Sequence, residues 1–454
     1  MASTYLSRTP SSASNLKTWT WSGWVKRGSI STGNQVLFEA RDSSGFFEKI
    51  QFISSDKLEY DHDIPGTDYT INSERVFRDV NAWYHIVVAR DTTQSTEANR
   101  IKIYVNGEQV SQTEVGLGYP PQNYDSFINN TNVHYIGANH GSEYFDGSMS
   151  HIHFVDGSAL APTVFGETDA TTGEWKIKTS PSYTVGTNGF SILQDGNTIT
   201  DQSTNSNNFA LAGGTLTKTE DNPSNVFATL NPLHISDASG NYYLSLGNLR
   251  QHVTNNDGHR QTGFTLHPKG LKGYFEVKCT VDPNFHLGLQ NVTSRLIKTN
   301  YYTESSPNYY FLNSSNPVTI QYANGGSAAT HIANLFSQIS VGDIIGCAFD
   351  FTGTNKNVWF HKNGTYGNNG SGVGNPATGA YPAMTSTQLT ADEYEFIVSP
   401  NTGSGNGQLD FNFGNGYFGT TAVSSAGTNA SGVGIFEYDV PANFTSLSTK
   451  GLNL

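Results

Sequence analysis

Charged side chains are scarce in this chain of 454 residues, where they make up only 14%. Acidic residues outnumber basic ones by 38 to 25, and the formal net charge of −13 disfavours nucleic acid or an anionic membrane surface as a partner. No apolar run approaches the ~20 residues that a membrane-spanning helix requires, so we expect no membrane insertion. The first ten residues lack the apolar core of a signal peptide, and we therefore expect synthesis in a cytoplasm.

Cysteine is almost absent, and so are the familiar motifs of catalysis. Cys279 and Cys347 are too few for a disulfide framework. Because both lie in strand-like runs, we interpret them as buried free thiols, with one disulfide as the alternative. The chain has no Gly-x-Ser-x-Gly elbow, no phosphate-binding P-loop, no His-Glu-x-x-His and no Cys-x-x-Cys. These absences predict a protein that is not an enzyme.

Glycine, serine, threonine and asparagine are abundant instead, together with 23 tyrosines and 26 phenylalanines. Glycine and asparagine tolerate the positive φ angles of tight turns, and aromatic residues fit a pleated, half-buried surface. No long run of alanine, leucine, glutamate and lysine predicts an amphipathic helix. We therefore predict an all-β protein with two β-sandwich, jelly-roll-like domains joined by a strand-containing connector.

The predicted domains are residues 1–165 and 241–454, with the connector at 166–240. In the first domain, aromatic and hydroxyl residues alternate from Thr18 to Ser22, which is the period of a half-buried strand. Each domain also contains a strand that runs into Asn-Gly, at Asn106-Gly107 and at Asn363-Gly364. Such a dipeptide predicts a two-residue hairpin turn.

The first domain resembles laminin-G-like or concanavalin-like jelly rolls. The resemblance rests on Trp19–Lys26, Trp83–Val88, Ile103–Gly107 and Phe145–Met149, in that order. It implies a β-sandwich fold, and it makes calcium at the loop ends an expectation, because laminin-G-like modules often bind calcium there.

The second domain resembles SPRY domains. Its matching segments are Gly273–Val277, Gly342–Gly346, Phe360–Gly364 and Asn412–Gly414, again in the expected order. The resemblance implies a bent β-sandwich that binds partners through its loops and has no catalytic residues of its own.

The chain as a whole resembles structural proteins of marine tailed phages. Tyr5–Pro10, Gly186–Phe190 and Asp221–Pro232 carry this likeness. It implies a virion surface protein such as a tail fibre, a spike or a capsid decoration, made in the host cytoplasm. The expected partners are other virion proteins, a host-surface glycan or receptor, and further copies of the chain; a trimer is one option. Two rival functions stay open, a purely structural decoration protein and a polysaccharide-degrading virion enzyme.

Exposed aromatic side chains are the candidates for ligand contact, because sugar rings and partner side chains stack on flat apolar faces. In the strand at 358–362, Val358 and Phe360 should face the core, which leaves two residues on the other face. A tyrosine-rich segment supplies the rest. The six candidates are Trp359, His361, Tyr301, Tyr302, Tyr309 and Tyr310. Packing against a neighbouring module or subunit is the alternative interpretation.

Three carboxylates lie close together in the segment 60–68. Asp61, Asp63 and Asp68 offer the oxygen ligands that Ca²⁺ prefers. An EF-hand is excluded, because Pro65 stands where that loop requires an oxygen ligand and Asn72 stands where it requires a bidentate glutamate. The segment is therefore either a solvated acidic hairpin loop or a Ca²⁺ site, and Ca²⁺ is the one cofactor that the sequence suggests.

Overall fold

The computed structural model describes residues 3–194, 198–235, 242–254, 261–292, 309–314, 316–324, 327–400 and 406–451. The chain forms two compact units. The first comprises Met1–Lys218 with Asn222–Ser224, and the second comprises Thr219–Asp221 with Asn225–Leu454. No helix in the described ranges is long and apolar enough to cross a membrane.

The strands of the first unit are β1 (Tyr5–Arg8), β2 (Thr18–Arg27), β3 (Gln35–Arg41), β4 (Phe47–Phe52), β5 (Lys57–Ile64), β6 (Thr67–Val76), β7 (Trp83–Asp91), β8 (Ile101–Val105), β9 (Glu108–Gln109), β10 (Gln112–Gly116), β11 (Val133–Ile136), β12 (Gly147–Asp156), β13 (Gly166–Thr168), β14 (Trp175–Ile177), β15 (Phe190–Ile192) and β16 (Ala210–Gly213). Two short 3-10 helices, Glu97–Asn99 and Pro162–Val164, lie between them.

Two antiparallel sheets build the first unit. The eight-stranded sheet has the order β10-β6-β5-β4-β3-β11-β1-β16, and the six-stranded sheet has the order β15-β12-β2-β7-β8-β9. Alternate residues of both sheets form one core; Trp19 and Trp21 of β2 and Phe38 of β3 are completely buried in it. Burial of alternate side chains is what sets the register of a strand, because a slip by one residue would turn all of them outward. The predicted all-β sandwich is confirmed.

Most of the predicted connector is part of the first unit. β15 pairs with β12, and β16 pairs with β1, so both strands extend the two sheets. The Nε1 atom of Trp175 donates a hydrogen bond to Nδ1 of His85 at 3.0 Å, and this places β14 near β7. Residues 166–240 are thus divided between the two units, because their apolar side chains are buried in two different cores.

The strands of the second unit are β17 (Leu230–Ile235), β18 (Tyr242–Ser245), β19 (Arg250–Val253), β20 (Thr262–Phe264), β21 (Lys272–Val281), β22 (Phe285–Asn291), β23 (Tyr309–Asn313), β24 (Val318–Asn324), β25 (Ser327–Phe336), β26 (Ile344–Asp350), β27 (Asn357–Lys362), β28 (Thr365–Tyr366), β29 (Tyr394–Pro400), β30 (Gly407–Asn412), β31 (Tyr417–Phe418), β32 (Thr421–Ala422) and β33 (Thr445–Ser446). A 3-10 helix, Pro376–Thr378, lies between β28 and β29.

The second unit also has two large sheets. One has the order β17-β20-β29-β22-β23-β24-β25, and the other has the order β18-β19-β30-β21-β26-β27-β28, with β33 parallel to β21. Phe275 of β21, Phe349 of β26 and Phe396 of β29 are fully buried in the core of this unit. Cys279 and Cys347 are buried there as free thiols, as the sequence predicts.

Both predicted Asn-Gly hairpins are present. Asn106 and Gly107 have φ angles of 50° and 84°, and Asn363 and Gly364 have φ angles of 49° and 82°. Two consecutive residues with positive φ make the turn whose twist matches that of the flanking strands, and asparagine and glycine adopt this conformation at the lowest cost.

Candidate ligand-binding face

The eight-stranded sheet of the first unit has two different faces. One face packs against the core, and the opposite face of the same strands is polar. In β5, Leu58 and Tyr60 face the core, and the register places Glu59 and Asp61 on the opposite side. Neighbouring strands bring further polar side chains to that side, since directly paired residues share one face of a sheet. We call this surface the polar face; its members are Glu39, Arg41, Phe47, Lys49, Gln51, Glu59, Asp61, Asp63, Asp68, Thr70 and Asn72.

Lys49 is the cation at the centre of the polar face. Its Nζ atom lies 3.8 Å from Oδ2 of Asp61 and 3.4 Å from Oε2 of Glu143, which reaches the face from the segment after β11. The same nitrogen lies 4.3 Å from the centre of the Phe47 ring. Arg41 contacts that ring as well, at 5.1 Å, and its Nε donates to Glu39 at 2.8 Å. Carboxylates nevertheless outnumber cations on this face.

The pKa values reflect this crowding of acidic groups. Burial is the main reason why the pKa of Asp61 is raised to about 8, while nearby Lys49 opposes the rise. Burial likewise raises the pKa values of Glu39 and Glu59. The carboxyl group of Asp61 therefore retains its proton near neutral pH and can both donate and accept hydrogen bonds.

Several polar atoms of this face have unused hydrogen-bonding capacity. Within the described residues, Oε2 of Glu39, Oε1 of Gln51 and Oδ1 of Asn72 have no hydrogen-bond partner although they are buried. A buried acceptor without a donor is costly, and such atoms in a native structure call for a water or a ligand. All three belong to the polar face.

Three tyrosines flank the polar face on the side of β11. Tyr135 is paired with Glu39, and its ring centre lies 6.2 Å from that of Tyr5. Tyr5 in turn lies 6.0 Å from Tyr144. Tyr5 and Tyr144 are half-buried, so their rings are partly accessible. We call these residues the tyrosine group. Flat aromatic rings beside carboxylates and amides are the combination that carbohydrate sites use.

The three aspartates predicted as a Ca²⁺ site lie on strands and not in a loop, so the expectation of an acidic loop is wrong. Asp61 and Asp63 belong to β5, Asp68 belongs to β6, and only Pro65 and Gly66 form the turn. The alternation of Glu59, Asp61 and Asp63 with apolar residues is the sequence signal for this hairpin.

The same aspartates contact neighbouring residues of the hairpin. Asp63 is paired with Asp68, and Oγ1 of Thr70 donates to both Asp61 and Asp68, at 3.2 and 2.5 Å. In the part of the chain that the structure describes, no group of three or more His, Cys, Asp or Glu residues is arranged to hold a metal. A Ca²⁺ ion held by these residues stays a prediction.

The expectation that Trp359 and His361 are exposed is wrong. Both alternate with the core residues Val358 and Phe360 as predicted, but their relative exposures are only 2% and 1%. The C-terminal segment covers this second face: Trp359 packs with Phe436 and Phe444 in a small apolar cluster.

Specific hydrogen bonds hold these two side chains in their buried positions. Nε1 of Trp359 donates to the carbonyl oxygen of Ala380 at 2.8 Å. Nε2 of His361 lies 2.7 Å from the hydroxyl of Tyr274, and burial lowers the histidine pKa to about 3. Neither side chain presents a surface for a ligand in this conformation.

The four tyrosines predicted as ligand contacts are described only in part. Tyr301 and Tyr302 lie outside the described residues. Tyr309 and Tyr310 belong to β23, where the backbone register pairs them with Gln290 and Leu289 of β22. Their role as ligand contacts stays a prediction.

A family model agrees with the fold of the first unit. Residues 2–164 match the model described as the concanavalin A-like lectin/glucanases superfamily. The first unit contains a laminin-G/concanavalin-like domain. The polar face and the tyrosine group lie within this domain.

The chain also has matches among solved structures, each at low identity and a low TM-score. Domains LG4-5 of the mouse laminin alpha1 chain are 9% identical, with a TM-score of 0.29, and the match covers 97% of this chain and 94% of that one. The PSpry domain of TRIM65 is 14% identical with a TM-score of 0.28, and the match covers 41% of this chain and 91% of that domain. A human SPRY domain is 16% identical with a TM-score of 0.24, and the match covers 39% of this chain and 94% of that domain. A search of curated protein sequences returns no match.

Proposed function

We propose that this chain is a non-enzymatic surface protein of a tailed-phage particle and that it binds a host-surface glycan through the polar face of its first unit. Laminin-G-like and SPRY-like domains are typically binding modules. The observation that carries the proposal is the polar face itself, where carboxyl and amide groups with unused hydrogen-bonding capacity lie near two cations and beside partly accessible aromatic rings.

The polar face suits a glycan because sugar hydroxyls both donate and accept hydrogen bonds. Asp61 offers a donor where it is protonated, Asp63 offers acceptors, and Arg41 offers donors. Phe47 contacts Arg41 and Lys49 and is half-buried, so part of its ring is accessible to a sugar. A macromolecule with many phosphates is a poor fit for this acidic surface.

The phage origin is supported by the sequence resemblance in Tyr5–Pro10, Gly186–Phe190 and Asp221–Pro232. Labelling of intact particles with a specific antibody tests it. We expect label on tail fibres or spikes. Label on the head alone would favour the purely structural decoration role, and no label on any particle would contradict the proposal.

A polysaccharide-degrading enzyme is the second candidate, and one observation favours it. Glu59 and Asp61 lie two positions apart on one face of β5, and burial raises the pKa values of both. Hydrolysis of a glycosidic bond requires two carboxyl groups, one of them with a raised pKa. Incubation with polysaccharide from the host surface separates the two functions: binding without release of reducing ends supports the binding protein, and sustained release supports the enzyme.

A further inference from the structure

One edge of the eight-stranded sheet in the first unit is unusually open. β16 is the last strand in the sheet order and pairs with β1 on one side only. No strand of the described residues pairs with its other side. Ala210, Leu211 and Ala212 are exposed. An exposed edge strand offers unpaired backbone N–H and C=O groups to another strand.

Leu211 is the apolar residue of this edge. The register places it opposite Leu6, which belongs to the core, so Leu211 lies on the core-facing side of the sheet. The sheet ends there, and 44% of Leu211 remains exposed. A strand added beside β16 would cover this side chain and continue the core across the new contact.

The β16 edge lacks the sequence features that normally prevent an edge strand from pairing with another chain. Residues 202–217 contain neither a charged residue nor a proline. The opposite edge of the same sheet differs, since β10 carries the exposed Glu114. Charged side chains and prolines on edge strands are the common protection against pairing, so β10 is protected and β16 is not.

The conformation of β16 is fixed before any partner arrives. Phe209, which precedes it, is buried with its ring centre 4.7 Å from that of Phe190. After it, the backbone N–H of Thr215 donates to Oγ1 of Thr4, and that hydroxyl donates to the carbonyl oxygen of Thr215. A strand that is held at both ends loses little conformational freedom when it binds, which favours association.

We propose that β16 is a self-association edge, at which two copies of this chain pair their β16 strands antiparallel about a two-fold axis. The net charge of −13 makes two copies repel one another over most of their surface. The stretch at 202–217 carries no charge, so it adds no repulsion of its own where the two β16 strands would meet. Two identical antiparallel strands complement each other by symmetry, and the Leu211 side chains of both copies come together. This inference is independent of the proposed glycan binding.

Disulfide trapping tests the proposal on the full chain. The two natural cysteines are buried, so a cysteine introduced by Leu211→Cys is the accessible thiol of the variant. We expect mild oxidation to convert Leu211→Cys into a covalent dimer. Val115→Cys is the matched control, because Val115 is 42% exposed on the opposite edge, and we expect it to stay a monomer in a denaturing gel.

Sedimentation equilibrium of the unmodified chain and of Leu211→Lys gives the second measurement. We expect a dimer for the unmodified chain and a dissociation constant raised about tenfold or more for Leu211→Lys, since two like charges would then face each other. Unchanged far-UV circular dichroism would show that the variant is folded. A monomeric unmodified chain, a dimer that tolerates Leu211→Lys, or equal trapping at positions 115 and 211 would each overturn the proposal.

Discussion

Nζ of Lys49 lies 3.4 Å from Oε2 of Glu143, and the lysine side chain is only 5% exposed. This ion pair connects Glu143, in the segment after β11, with Lys49 at the centre of the polar face. Because Lys49 also lies 3.8 Å from Asp61, it is a cation shared by two partly buried acidic groups.

Removal of this cation should destabilise the first unit. For Lys49→Met we expect the free energy of unfolding to fall by about 1–3 kcal/mol, because acidic groups would stay buried without their counter-charge. Urea unfolding measures the change. Lys102→Met, on β8 in the other sheet, is the control and should change stability by less. An unchanged urea midpoint for Lys49→Met would show that the lysine has no such role.

The raised pKa of Asp61 predicts a pH dependence of stability. The pKa of about 8 in the folded protein exceeds the ordinary value of about 3.9 in an unfolded chain, so the folded state binds more protons between these two pH values. The free energy of unfolding should therefore be highest at the acidic end of this window and fall as the pH rises towards 8.

Asp61→Asn should remove this dependence, because asparagine does not ionise and still accepts a hydrogen bond from Thr70. We expect the loss of melting temperature between pH 5 and pH 8 to be smaller in Asp61→Asn than in the unmodified protein. Scanning calorimetry at both pH values gives the comparison, and an identical loss in the two proteins would contradict the assignment.

Sequence patterns predicted the strands better than they predicted which faces are covered. Alternation placed Val358 and Phe360 in the core correctly, and Asn106-Gly107 marked a real hairpin. The burial of Trp359 depends on Phe436 and Phe444, which follow it by more than seventy positions and carry no local signal of that contact. The polar face was missed for a different reason: its members come from four strands whose register the sequence does not specify.

Trp359 is expected to contribute to stability rather than to ligand binding. Trp359→Ala removes a large side chain from the cluster with Phe444 and should lower the free energy of unfolding by about 3–5 kcal/mol. Trp359→Phe keeps an aromatic ring there and should cost less. Urea unfolding measures both. If Trp359→Ala unfolds at the same urea concentration as the unmodified protein, the buried position is incorrect.

Glu276 is expected to hold the C-terminal segment in place. Its two carboxylate oxygens accept the backbone N–H groups of Glu437 and Tyr438, each at 2.9 Å. Glu276→Gln replaces one acceptor oxygen with an NH₂ group, so one of the two backbone amides loses its partner, at a cost of about 1–3 kcal/mol.

Hydrogen exchange measures this effect locally. We expect faster exchange at residues 436–440 in Glu276→Gln than in the unmodified protein. Glu393→Gln is the control, since Glu393 is exposed and pairs with Lys269 at the surface. Equal exchange in all three proteins would show that Glu276 does not anchor the segment.

The central claim is that the polar face binds a glycan, and a glycan array of bacterial-surface oligosaccharides tests it most directly. We predict that the unmodified protein binds a restricted set of glycans and that Phe47→Ala combined with Asp63→Asn weakens this binding about tenfold or more, since an aromatic contact and a hydrogen bond are lost. The exposed Tyr243 of the second unit supplies the control, Tyr243→Ala, which should bind as the unmodified protein does. Equal binding by all three proteins, or no binding by the unmodified protein, would contradict the account.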